Sequence, residues 1–255
     1  MVPSDETESS SAGSAGLTRT GRFPATRWSL VRTAGGDDTV SAVALSELCR
    51  LYWYPLYVFA RRSGLNPPDS EDATQGFLAR VIEKDYIARA REELGTLRSF
   101  LLRGLKNYLA NERKAQRRLK RGGGQEVFSL DATDAERRYK LEPQDAQSPD
   151  VLFERRWATT VLNNVFEELR REYSASGKES LFDALKPTLA GERSEANSHA
   201  SIGEALDMSE GAVKIAAYRM RQRFREILRD QVAQTVQSEE EVNGEILALF
   251  RVFSR

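Results

Sequence analysis

Apolar residues recur every three or four positions along most of this chain, and the places where that rhythm stops divide it into blocks. Leu48, Tyr52, Leu56 and Phe59 share one helical face. Ala73, Phe77, Val81 and Ile82 share a second, and Phe100, Leu101, Leu105, Tyr108 and Leu109 a third. Pro55 lacks an amide hydrogen and is expected to start or kink the first of these helices. Asn66-Pro67-Pro68-Asp69-Ser70 reads as a stop followed by a cap, and the third helix is expected from near Thr96 to Arg121. A second block opens at Val151 and carries Phe153, Trp157, Val161, Leu162, Val165 and Leu169 at helical spacing. It continues through a short segment from Ser201 to Leu228, followed by a stripe of Val242, Ile246, Leu249, Phe250 and Phe253. No alternating run long enough for a sheet appears, and no internal repeat.

These patterns predict an all-α protein of two small helical domains joined by a flexible linker. The boundaries fall at 1–22, a polar Ser/Gly-rich tail expected to be disordered; 23–121, the first domain; 122–150, the linker; 151–232, the second domain; and 233–255, a C-terminal extension helix. Gly122-Gly123-Gly124 ends the first block, and without a following Lys-Ser/Thr it is no phosphate-cradling loop.

Composition narrows the chemistry. The 255 residues carry 38 basic and 38 acidic side chains, so total charge does not announce a nucleic-acid partner and its distribution must be read instead. Single Cys49 and single His199 supply neither an internal disulfide nor a Cys/His zinc site. Cys49 reads as a small buried hydrophobe, and His199 as a solvent-facing or capping residue. No apolar run reaches the roughly 20 residues that span a bilayer, so no membrane insertion and a cytoplasmic location are expected. No metal and no cofactor is expected either.

Two segments concentrate positive charge. Ile202, Ala205 and Leu206 fit a short helix, Asp207-Met208 a tight turn, and Ser209 the N-cap of a following helix, which together make a helix-turn-helix. In its second helix Val213, Ala217, Met220, Phe224 and Ile227 fall on one stripe, which sends Lys214, Tyr218, Arg221, Gln222 and Arg225 to other faces. The second segment, Arg98 to Arg121, holds nine basic residues against the single acid Glu112, with Phe100 and Tyr108 interleaved. Cations suit phosphates, and aromatic faces suit unstacked bases.

Taken in order, these segments resemble the extracytoplasmic-function (ECF) subfamily of RNA polymerase sigma factors, with N- and C-terminal extensions. Leu48 to Arg62 and Asp69-Ser-Glu-Asp-Ala-Thr-Gln-Gly-Phe-Leu78 look like the polymerase-binding helices of sigma region two. Leu97 to Lys114 resembles its minus-10 element, and Ser201 to Arg229 resembles region four. Departures are Phe100 in place of the usual Trp, and Ile215-Ala216 in place of a polar pair on the recognition helix.

The resemblance implies a protein without catalytic residues that brings RNA polymerase core to promoter DNA. Asp69, Glu71, Asp72, Gln75, Phe77 and Leu78 would dock on the clamp helices of the largest subunit. Arg98, Phe100, Arg103, Lys106, Asn107, Asn111, Arg113 and Arg117 would hold the opened minus-10 strand, with a loop at 90–96 receiving an extruded base. Glu210, Lys214, Ile215, Tyr218, Arg219 and Gln222 would enter the minus-35 major groove. An anti-sigma regulator is also compatible with it. Two other classes compete: a stand-alone helix-turn-helix regulator, and a metal-dependent enzyme using Asp69, Glu71 and Asp72. Those acids are better explained as a helix start, where they offset the positive end of the dipole.

Overall fold

Helix signals in the sequence translate into a bundle whose cores merge. The computed structural model describes residues 39–82, 96–118, 132–140, 147–189, 191, 194–236 and 238–254. The expected tail, the segment 23–38 and positions 90–95 of the base-receiving loop lie outside the described residues. In chain order the helices are α1 (Thr39–Arg62), α2 (Pro67–Ile82), α3 (Leu97–Arg118), α4 (Ala132–Lys140), α5 (Pro149–Ala175), α6 (Glu179–Leu189), a 3-10 turn (Glu195–Asn197), α7 (His199–Leu206), α8 (Glu210–Ala233) and α9 (Glu239–Arg251). Among the described residues there is no strand, and no helix is long and apolar enough to cross a membrane.

Local chemistry sets most of the helix starts. The Asn66 side chain accepts the Asp69 amide at 2.8 Å, capping α2 as its Asn-Pro-Pro sequence foretells. Ser148 caps α5 with Pro149 at the first position, where its missing amide hydrogen costs nothing. Ser198 and Ser209 cap α7 and α8 by accepting the amides of Ser201 and Ala212 at 3.1 and 3.2 Å. Pro55 neither starts nor ends a helix: it lies inside α1, buried, and the helix extends well to either side of it.

Tertiary packing joins what sequence composition separates. Helix α5 packs most extensively on α1 and then on α8. One continuous apolar core therefore runs from Tyr52, Phe59 and Phe77 through Phe153 and Trp157 to Met220 and Leu249. Each such large side chain contributes roughly 1.5–3 kcal/mol on burial. The expected linker is partly ordered as well. Helix α4 lies within it and docks on α1, where Tyr57 and Arg61 donate to Glu136 at 2.6 and 3.1 Å. Arg138 stacks 4.0 Å from the Tyr54 ring centroid, and Ala135 joins a small second core with Tyr54, Val58 and Leu152. Ala135 and Tyr139, four residues apart, supply the apolar edge of an otherwise charged nine-residue helix.

The C-terminal stripe is rotated from its expected face. Val242 and Leu249 are buried as anticipated, but Glu245 and Val252 complete the buried side while Phe250 and Phe253 are exposed. A carboxylate occupies the inward position because a cation on α3 meets it there, as described next.

Candidate nucleic-acid interface

The helix-turn-helix is built on one glycine and one left-handed residue. Asp207 takes φ 53° and ψ 47° directly after α7, a conformation Asp tolerates better than most residues. The Met208 amide turns back to the Gly203 carbonyl at 2.9 Å. A Cβ on Gly203 would lie 2.6 Å from the Met208 carbonyl oxygen, so only glycine lets α7 approach the turn this closely. Gly203 is buried beside Ile202, whereas Ala205, expected on the inner face, is exposed.

Helix α8 then divides cleanly by face. Val213, Ala217, Met220, Ile227, Leu228 and Val232 are buried, and Phe224 is half-buried against them. On the opposite side Glu210, Lys214, Ile215, Tyr218 and Arg219 are exposed and Gln222 is half-exposed, so all six expected minus-35 residues share one accessible surface. Ile215 and Tyr218 are 55% and 60% exposed and lie side by side on that surface. Gln222 donates to the Tyr218 hydroxyl at 2.8 Å, and Lys214 pairs with Glu210 at 2.7 Å, which holds the Glu210 carboxyl below its usual range. The remaining basic residues do not all point outward. Arg223 grips Glu172 of α5 at 2.7 and 2.9 Å and reaches Glu226 at 2.9 Å. These bonds raise the guanidinium and lower the Glu172 carboxyl. Arg229 binds Glu239 and Asn243 at the start of α9.

Helix α3 is equally basic but is used differently. Arg103, Asn107, Asn111 and Lys114 are exposed at successive steps of four, four and three, forming one polar stripe. Phe100 is half-buried against the core, and the Arg117 side chain lies outside the described residues. Arg113 is exposed and donates to the Ser63 carbonyl at 2.7 Å, while Lys106 pairs with Asp150 in the first turn of α5. Arg98 departs furthest from its expected role. It is only 9% exposed, clasps both oxygens of Glu245 on α9 at 2.9 and 3.0 Å, pairs with Glu154 on α5, and lies 4.7 Å from the centroid of Trp157. A sequence pattern shows that Arg98 is a cation but not that two carboxylates distant in sequence converge on it.

Around this cluster the polar accounting is incomplete. The buried Tyr52 hydroxyl faces Trp157 and Thr235, and among the described residues neither it nor Trp157 Nε1 meets a partner at close hydrogen-bonding geometry. Burial, reinforced by Glu245, pushes the Tyr52 hydroxyl far up.

The acidic helix divides too. Asp69 and Asp72 are exposed, Glu71 is half-buried and accepts from Gln75 at 3.0 Å, but Phe77 and Leu78 are core residues rather than surface. Their positions on the inward stripe with Ala73 and Val81 explain this, since a helix buries what falls a turn apart. Asp69 and Asp72 instead border a groove of about 390 Å³ shared with Tyr108, Glu112 and Arg113 of α3. Its wall is close because Gly76 has no side chain: a Cβ there would lie 2.5 Å from the Tyr108 hydroxyl. Among the described residues no group of three His, Cys, Asp or Glu side chains could hold a metal ion.

Comparison with models of known protein families, with curated proteins and with solved structures returns no match to this chain.

Proposed function

We propose that the chain is a promoter-recognition subunit of the sigma type, which binds RNA polymerase core and reads DNA at two separated elements. The observation that carries this reading is the exposed face of α8, where Lys214, Ile215, Tyr218, Arg219 and Gln222 stand together behind a capped, glycine-dependent turn. Such a helix suits a major groove, with cations on phosphates and Ile215 against thymine methyl groups. The polar stripe of α3 supplies a second contact, for the melted strand. Asp69 and Asp72 beside their groove supply an acidic surface for a basic partner.

One observation favours a narrower alternative, a duplex operator binder acting without polymerase: the α8 face is accessible while Arg98, Phe77 and Leu78 are buried. Mixing the full chain with core polymerase and a promoter library separates the two. The sigma reading expects a stable polymerase complex and promoter-specific transcripts. Tight operator binding with no polymerase association would replace it with the alternative.

A further inference from the structure

Helix α9 has two faces, and among the described residues only one is covered. Val242, Glu245, Leu249 and, just past the helix end, Val252 are buried. Leu247 falls diametrically opposite them at the helical period and is 57% exposed, followed by exposed Phe250 and Phe253. The other large exposed apolar side chains among the described residues, Ile215 and Tyr218, belong to the accessible face of α8. Leu247, Phe250 and Phe253, at successive steps of three, make a contiguous patch of their own rather than single scattered side chains.

Two further features of this face describe what fits it. Gly244 is exposed one turn before Leu247, and a Cβ on it would meet nothing within 4 Å, so the packing of the chain itself does not require a glycine there. Glycine inside a helix is destabilising against alanine, and what it offers in return is a shallow place where a second backbone can approach closely. Charge is also divided along the face. Glu239 is taken by Arg229, but Glu240 in the first turn and Arg251 in the last are exposed on the Leu247 side.

These features are self-complementary. Two α9 helices laid antiparallel about a twofold axis at Leu247 bring residues equally far from it to the same level. Gly244 of each copy then comes level with Phe250 of the other, Asn243 with Arg251, and Glu240 lies within one turn of that guanidinium. A parallel pair would instead set Glu240 against Glu240 and Arg251 against Arg251. We propose that the outer face of α9 is a homodimer surface: a second copy of this chain packs antiparallel through Leu247, Phe250 and Gly244 and is oriented by two ion pairs between Glu240 and Arg251. One helix face falls short of the roughly 800 Å² per partner of a standard stable interface, so the dimer forms by mass action at micromolar concentration. The inference needs only α9 and is independent of the promoter reading.

Sedimentation velocity of the full-length chain over a concentration series, without polymerase or DNA, tests it. The parent should pass from monomer to dimer in the micromolar range. Glu240→Arg and Arg251→Glu should each weaken association at least tenfold, since both ion pairs become like-charge contacts. An equimolar mixture of the two variants should recover the parent's affinity, because every contact in the mixed dimer is again opposite in sign; a merely structural role for either residue would not produce that recovery. Leu247→Asp, at an exposed position, should weaken association at least tenfold with the unfolding midpoint unchanged. A parent that stays monomeric into the millimolar range overturns the proposal, which is also the outcome if residues 1–38 of the same chain cover the face. A dimer indifferent to Leu247→Asp has its contact elsewhere and overturns it too. Loss of association in the single variants without recovery on mixing overturns the antiparallel arrangement.

Discussion

Helices α3 and α8 look alike as sequence, each a run of Arg and Lys interrupted by aromatics, yet they dispose of their charge in different ways. Helix α8 pairs Arg223 and Arg229 with Glu172 and Glu239 at its flanks and keeps a coherent accessible face. Helix α3 buries Arg98 against α5 and α9 and ties Lys106 to α5, leaving a thinner stripe from Arg103 to Lys114. The difference teaches that the availability of a cation is decided by the acids brought to it from elsewhere in the fold. A buried guanidinium with its carboxylates is a structural joint, whereas an exposed one keeps its access to solvent.

The sharpest break in the comparison comes from Arg98→Ala, which strands Glu245 in the interior. Denaturant unfolding should show a loss of about 3–5 kcal/mol, with duplex binding through α8 retained wherever the protein remains folded. Gly203→Ala should cost about 1–3 kcal/mol by forcing a methyl group onto the Met208 carbonyl, and should depress duplex affinity while sparing the α3 side of the molecule. Ser209→Ala removes the α8 cap and should cost about 1 kcal/mol in the same assay.

Acid provides a gentler probe. Burial pulls the Glu136 carboxyl up, but hydrogen bonds from Tyr57 and Arg61 outweigh it and leave the group below its ordinary value. Its stabilising contribution is therefore present above the unfolded carboxylate range, near pH 4.3, and is lost as pH falls through the lower folded value. Glu136→Gln should flatten the acid limb of the stability curve without altering the plateau slope above pH 6. At the small end, Arg219→Ala should change stability by less than about 0.5 kcal/mol yet lower the salt slope of duplex binding by about one.

Much of the fold was readable because helices announce themselves through period and caps. Asn66, Ser209 and the α8 stripe stand where spacing put them, since each depends on residues within a turn or two of itself. What escaped depends on partners far away in the chain. The merging of the two cores, the docking of α4 through Glu136, and the inward turn of Glu245 require knowing which helices meet, and a charged residue on an apolar face reads as surface until its counter-ion is found. The exposure of the six α8 positions was legible because an accessible helix face is the complement of a local apolar stripe. Arg98, Phe77 and Leu78 are buried where the resemblance expects contacts, because a resemblance transfers residue type more faithfully than burial. Gly203 could have been found, since a glycine four positions before a left-handed Asp is a signal of close backbone approach.

A photoreactive residue at Tyr218, in the chain assembled with core polymerase on a promoter, tests the central claim most directly. The account predicts crosslinks confined to duplex DNA at the minus-35 element, with a second label at Asn107 marking the minus-10 strand only when polymerase is present. Crosslinks from Tyr218 to protein alone, or to DNA without preferred position, would contradict it.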